Sequence, residues 1–483
     1  MTSRTYQSSS PRMDERTPLI ASSTVAITSN DSSNELSVLQ LSLLCASRFV
    51  EALSVTAVYP FIYNLVFNFP GIPRGEVQIW TGVAASIFSL AQLLLFLFWG
   101  RTTDWTGRKP ILMISLVGFG VSIATLGLAG SKWDVVILSF LAGAFSSGII
   151  VTSRTMVAEN STFVTQARAF SFLVAAPSIG GHIGPHLGSA LSNPDKHSYA
   201  LPGLVSGAAI LLVAIACYIW LDETLPSRAS STSTIEPVGE IRPDMSVCQV
   251  VVAPGVRPAL GTVLYAGMLS SGLATVLPMY LFTPVHLGGL GLNLSQLSRT
   301  MAARGLAQVI CILGVFPFIQ KRLGTGSLLR YCATAWPVVL ALVAGQNPLL
   351  RAARNPPLGF VLMLVAVIPS GISMVSVGTQ LILNDASPSS GAFGTYIGVA
   401  LTLQSVAGGV SSEVMTAIYS LGISQHILWG LLGWVCLIVL AAGFPVTLFG
   451  LPAKSEISPH RSEFNQPGLL AAEDGHGARG GLP

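Results

Sequence analysis

Apolar runs long enough to cross a bilayer recur along this chain between residues 38 and 450, with short polar turns between them. A helix needs roughly 20 apolar residues to span a hydrocarbon layer of about 30 Å. Within lipid every backbone polar group must be satisfied by the spanning segment or a closed barrel. The runs are continuous rather than alternating, which excludes the barrel. Charged residues make up 10% of the chain, against roughly 25% in soluble domains, so most of its surface does not face water. Its 48 glycines and 29 prolines suit close-packed, kinked membrane helices.

The sequence predicts an all-α integral membrane protein of twelve transmembrane helices in two pseudo-symmetric six-helix bundles. Helices are expected at 38–66, 79–100, 110–130, 133–157, 168–191 and 199–221, then at 257–284, 297–319, 324–346, 357–383, 391–420 and 423–450. Residues 1–36 and 451–483 read as polar cytoplasmic tails, the first disordered and with no signal peptide. The stretch 222–256, with four prolines and the run Ser230–Thr234, reads as a cytoplasmic linker between bundles 37–221 and 257–450. With the N-terminus inside, 17 Lys and Arg fall on cytoplasmic segments and inner helix ends, Arg154 among them, and 6 on the outer side. That excess fixes both termini in the cytoplasm. Arg351 and Arg354, on the outer side, run against it.

Composition excludes several classes. The net charge of +4 includes no basic cluster dense enough for nucleic acid. The six cysteines form no C-x-x-C pair; all but Cys248 lie in apolar runs and read as small buried hydrophobes. No H-E-x-x-H, G-x-S-x-G or intramembrane acid pair supports an enzyme, and no GxxxxGK[ST] loop supports an ATP-driven pump. No metal or cofactor is expected.

Between helices two and three stands Gly100-Arg-Thr-Thr-Asp104-Trp-Thr-Gly107-Arg108-Lys109-Pro110-Ile-Leu112. Gly107 allows a tight turn, Pro110 suits the first turn of a helix, and Arg108 can reach a carboxylate across the bundle. The loop resembles the signature G-x-L-A-D-R-x-G-R-K-x-x-L of the major facilitator superfamily. Gly100, Asp104, Gly107, Arg108, Lys109 and Leu112 match it; Thr102, Thr103 and Trp105 depart from it. The resemblance implies that the loop latches the two halves in the outward-facing state, with Glu159 at the inner end of helix four as the partner of Arg108. Lys321-Arg322-Leu323-Gly324 occupies the corresponding place in the second half, in degraded form.

Helix five carries Gly180, Gly184 and Gly188 every four residues, a smooth stripe for another helix, with Pro185 to bend it. This run resembles the G-x-x-x-G-P-x-x-G-G motif of the drug:proton antiporter branch, with Ser189 at the last glycine; the resemblance implies export. His182 and His186 share a face of the same helix. They read as proton or substrate groups, as a metal site that no further His or Cys completes, or as hydrogen-bonded residues near the outer face. Arg48 and Glu51 in helix one are placed to pair at i, i+3, either as a structural pair near the inner interface or as part of proton coupling. The pattern R-x-x-E with Tyr59-Pro60-Phe61-Ile62-Tyr63 resembles helix one of fungal and plant transporters similar to the zinc-induced facilitators, as does the ending Leu221-Asp222-Glu223-Thr224-Leu225. Many drug:proton antiporters place an Arg in helix four where this chain has Ser139, four residues before Gly143. Coupling would then use Glu51, a histidine or Glu413, or be absent. Arg304 in helix eight is a further intramembrane charge, equally suited to an anionic substrate group or to a structural pair.

The functional expectation is a secondary active transporter that exports a small organic molecule, such as a fungal secondary metabolite or toxic compound, by proton antiport. The alternative is a facilitator or importer of a small metabolite or organic acid. The partners expected are a small-molecule substrate, protons and the lipid bilayer, with the monomer as the working unit. The plasma membrane is the first expectation for location; Glu15-Arg-Thr-Pro-Leu-Ile20 resembles an acidic dileucine signal and offers a vacuolar or endosomal membrane instead. Asn293-Leu294-Ser295 is the outer-loop glycosylation candidate, whereas the sequons at Asn30 and Asn160 fall on the cytoplasmic side.

Overall fold

Twelve helices follow one another in the computed structural model, which describes residues 37–69, 72–162, 165–192, 200–225, 247–253, 255–352, 368–387 and 392–448. The first six are α1 (Val38–Phe67), α2 (Val77–Thr106), α3 (Arg108–Leu126), α4 (Lys132–Asn160), α5 (Gln166–Leu191) and α6 (Ala200–Trp220). The second six are α7 (Val256–Phe282), α8 (Leu294–Leu323), α9 (Thr325–Ala344), α10 (Met374–Asp385), α11 (Phe393–Ser424) and α12 (Leu432–Thr447). Among the described residues nine of these are long and apolar enough to cross a membrane. Gly, Pro and His lower the hydropathy of α5, α12 is shorter, and α10 is described only from its 3-10 turn Ile368–Ser373 onward. The first part of the predicted tenth helix, the tails, the Glu15–Ile20 signal and most of the linker lie outside the described residues.

Pairings recur with an offset of six helices. α1 packs along α5 as α7 packs along α11, and α3 packs on α6 as α9 packs on α12. Side chains such as Leu94, Ile114, Leu212, Leu342 and Val439 are large, apolar and exposed on the outside, where lipid rather than water satisfies them. The glycine stripe of α5 meets the backbone of α1: a side chain at Gly180, Gly184 or Gly188 would strike the carbonyl oxygens of Phe49, Leu53 and Ala57 respectively. Small residues here let two helices approach to backbone contact.

Several boundaries differ from the predicted ones. α1 breaks into a 3-10 turn at Tyr59–Phe61, where Pro60 removes a backbone donor. α2 runs on to Thr106, so the link to α3 is the single residue Gly107 at φ 108. Asp104 therefore sits on the last turn of α2, and α3 starts at Arg108 instead of Pro110. Part of the linker is helical, at Val247–Val252. α8 contains a π-helical turn at Cys311–Val315. α11 continues to Ser424 and α12 starts at Leu432, later than expected. His426, Leu428 and Trp429 take left-handed backbone between them, just after the polar run Ser424-Gln425-His426.

Arg351 explains its place on the outer side. It follows α9 in a short helix, Gln346–Ala352, and donates to the carbonyls of Val285, His286 and Trp429 at 3.2–3.3 Å. It ties two outer loops together, so its charge is used in folding.

Candidate functional site

The two halves meet most closely where α2 crosses α11. Gly100 lies against Gly394, and Gly398 against the carbonyl of Phe96, so neither helix keeps a side chain between them. This brings Asp104 to the start of α11. Its Oδ1 accepts the Gly394 N–H at 2.9 Å, and its Oδ2 accepts the Thr395 N–H and hydroxyl, both at 2.7 Å. A carboxylate from one half thus caps a helix of the other. The cap satisfies donors that an α-helix leaves open and sits at the positive end of its dipole.

Arg108 is fully buried beside it, with Nη2 3.0 Å from Asp104 Oδ1 and 2.7 Å from Glu159 Oε1. Its Nη1 donates to the Thr103 carbonyl. Glu159 also accepts the Thr224 hydroxyl at 2.9 Å. Glu223 accepts the N–H groups of Arg108 and Lys109 at 2.9 and 3.0 Å and so caps α3. Three carboxylates are thereby balanced by one guanidinium and two helix N-termini. Hydrogen bonds to charged groups are worth roughly 1.5–3 kcal/mol each, so the three from Asp104 hold the interface more firmly than van der Waals contact alone. Lys109 turns outward over the Tyr218 ring.

This end of the bundle is the one that the Lys and Arg distribution leads us to expect on the cytoplasmic side. A second link between the halves lies on the same side, where Arg154 Nη1 donates to Gln380 Oε1 at 3.0 Å. Arg154 is half-buried within α4, facing α10, and is not the cytoplasmic fringe residue that its place near the helix end implied. No ion pair joins the halves at the outer end among the described residues. Two cavities open there. One, of about 730 Å³, lies between α2 and α11 and is lined by Gln92, Gln404 and Glu413. The other, of about 550 Å³, lies between α5 and α8 and is lined by His182, His186 and Gly305. Among the described residues the halves are thus joined by hydrogen bonds at one end, and the two cavities lie between them nearer the other.

His182 and His186 both face that second cavity, and His182 Nδ1 lies 2.6 Å from the Ser178 carbonyl. No group of three or more metal-binding side chains occurs among the described residues. Arg48 and Glu51 form a buried pair at 2.6 Å. The pair lies ~15–20 Å of helix rise from the start of α1, deeper than the inner interface expected for a structural pair. Glu51 Oε1 accepts the Ser146 hydroxyl at 2.5 Å, and Ser146 accepts from Gln92 at 2.9 Å. Glu51 therefore stands two hydrogen bonds from the outer cavity. Asn293 Oδ1 caps α8 by accepting the Gln296 N–H at 2.9 Å, and the Nδ2 that glycosylation would modify takes no part in that bond.

The sequence pattern of the Major Facilitator Superfamily matches residues 44–412. The chain is 33% identical over 434 residues to the efflux pump azaK of Aspergillus niger, covering 88% of this chain and 90% of that one. It is 24% identical over 401 residues to ZINC INDUCED FACILITATOR 1 of Arabidopsis thaliana, covering 76% and 81%. Its fold is similar to the crystal structure of the human organic anion transporter MFSD10 (TETRAN), with a TM-score of 0.65 at 19% identity, covering 86% of this chain and 99% of that one.

Proposed function

This chain belongs to the major facilitator superfamily, and from that premise we propose that it exports a small organic molecule from the cytoplasm in exchange for protons. The substrate class is a secondary metabolite or toxic compound, and the membrane is the plasma membrane. The observation that carries the reading is an interface joined by hydrogen bonds at the end expected to be cytoplasmic, with cavities nearer the other, in a chain 33% identical to an efflux pump. Rocking of one six-helix half against the other alternates access. Asp104, Arg108 and Glu159 serve as the inner latch: Arg108 and Glu159 hold Asp104 in place, and its bonds to Gly394 and Thr395 must part before a cytoplasmic solute enters.

Glu51 is the coupling carboxylate of this scheme. It lies at mid-depth, and Ser146 and Gln92 connect it to the outer cavity. A proton arriving there neutralises the carboxylate and loosens its pair with Arg48; deprotonation on the inner side restores the pair. Glu413 lines the outer cavity nearer the surface and belongs to the outer gate.

Cells lacking the chain should retain the exported compound, and complementation should release it. In inside-out vesicles the compound should accumulate when the lumen is acid. Glu51→Gln should abolish that accumulation while keeping solute exchange. Accumulation that survives a protonophore would refute proton coupling and leave a facilitator.

A further inference from the structure

Arg304 lies on α8 inside the second half, in a cavity of about 280 Å³ between α7, α8, α9 and the start of α10. Ser270, Gln308, Trp336 and Ser373 share its lining, with Leu273, Ala274 and Ile372 as apolar walls. The arrangement is one-sided. The buried Nε–H of Arg304 and the indole N–H of Trp336, a residue only 1% exposed, have no hydrogen-bond acceptor among the described residues. No carboxylate lines this cavity. Residues 353–367, which precede the described part of α10 in sequence, contain no Asp or Glu either. A cation at membrane depth that lacks a counter-charge is costly and marks a functional position. Buried donors normally find acceptors, and none of the described residues supplies one to these two.

The cavity does not stand alone. Ser376 lines it and also a pocket of about 60 Å³ that holds Arg154, Gln380 and Gln404. Gln404 in turn lines the outer cavity between α2 and α11. Arg154 has an amide oxygen as its acceptor, and no ion pair of Arg154 is found among the described residues. These shared lining residues place a second cation, Arg154, between the outer cavity and the Arg304 cavity.

We propose that the exported solute is an organic anion whose acid group is received by Arg304 and the Trp336 indole N–H, with its apolar part against Leu273, Ala274 and Ile372. The inference rests on the export reading and names the substrate class of that transporter. A planar guanidinium with free N–H groups matches the two oxygens of a carboxylate or sulfonate. The apolar walls select an acid with a ring or chain attached over a bare inorganic ion.

The test compares small acidic and neutral molecules in cells lacking the chain with those in cells complemented by wild-type, Arg304→Gln, Arg304→Lys or Trp336→Phe protein. Retained compounds are identified by mass spectrometry, and export is normalised to folded transporter measured by size-exclusion of a fluorescent fusion. The expected result is that the retained compounds carry an acid ionised at neutral pH. Arg304→Gln lowers their export at least tenfold per folded molecule, Arg304→Lys restores part of it, and Trp336→Phe lowers it less. Methyl esters of the same acids are not exported. Retained compounds that are neutral or cationic, or an Arg304→Gln transporter that exports the acid at the wild-type rate, overturn the anion site while leaving export intact. If deletion retains no compound, the export reading itself fails and takes this inference with it.

Discussion

The α2–α3 link and the α8–α9 link share one backbone design and differ in chemistry. Each is a single glycine, Gly107 at φ 108, ψ 161 and Gly324 at φ 78, ψ 160. Three residues before the glycine stands Asp104 in the first and Lys321 in the second; one residue after stand Arg108 and Thr325. Around Gly107 an ionic network reaches into the other half. Around Gly324 the buried pair is neutral, with Gln320 donating to the Thr325 hydroxyl at 3.2 Å. α11 is capped by Asp104, whereas Thr165 gives α5 no side-chain cap. The backbone of the link is repeated in the two halves, whereas the hydrogen bonds to the other half described here are made from the first link.

The strongest way to break this contrast is Asp104→Ala. It removes three hydrogen bonds across the interface. Transport should fall at least tenfold. A cysteine introduced at the buried Ala400, with native cysteines replaced, should become reactive from the cytoplasmic side. Unchanged labelling would show that the latch does not hold the inner end shut.

Arg108→Ala should act almost as strongly, with a different signature. It leaves Asp104 and Glu159 without their cation, and stranding one side of a buried pair costs roughly 3–5 kcal/mol. The protein should melt earlier and transport should drop about tenfold, while equilibrium substrate binding by the folded fraction stays within about threefold. Glu159→Gln in the same chain should recover part of the melting temperature. A hundredfold loss of binding would instead make Arg108 a substrate contact.

The glycines sharpen the comparison at the level of backbone. Gly107→Ala and Gly324→Ala should each cost about 1–3 kcal/mol, because positive φ with ψ near 160° is a region essentially confined to glycine. Gly107→Ala should cost more, because the added methyl would lie 2.8 Å from Glu223 Oε2 and disturb the α3 cap. Thermal melts of the two variants measure the difference, and equal losses would remove Glu223 from the account. The smallest effect is expected at Gln320→Leu, where one neutral hydrogen bond worth roughly 0.5–1.5 kcal/mol is lost. Transport should change less than twofold. A larger loss would mean that the second link also gates.

Much of the candidate site was legible because spacing alone carries it. Gly107 between charged residues signals a tight inner turn, and Gly180, Gly184 and Gly188 signal a packing stripe. What the stripe packs against, the backbone of α1 at Phe49, Leu53 and Ala57, was not legible. Gly394 and Thr395 were missed because their role lies in backbone N–H groups, which every residue but proline carries. Glu223 was seen only as part of a helix ending; an acid three residues past the last turn of α6 was the signal for a cap on a neighbouring helix. Arg154 was counted with the cytoplasmic charges because it stands six residues before the end of α4, and only helix rotation turns it toward Gln380. Trp336 looks like any core aromatic until its neighbours show that no acceptor among the described residues meets its N–H.

By itself the sequence determined that this chain lives in a membrane as helices, since continuous apolar runs leave the backbone no other way to satisfy its hydrogen bonds in lipid. It also singled out the glycine-containing turn between α2 and α3, because that depends on local residue order. Only the tertiary structure decided that Asp104 caps a helix 290 positions away, and that Arg304 faces a cavity in which no described residue supplies a counter-charge. These depend on the rotation and tilt of packed helices, which an apolar run leaves free because lipid accepts every face of it equally.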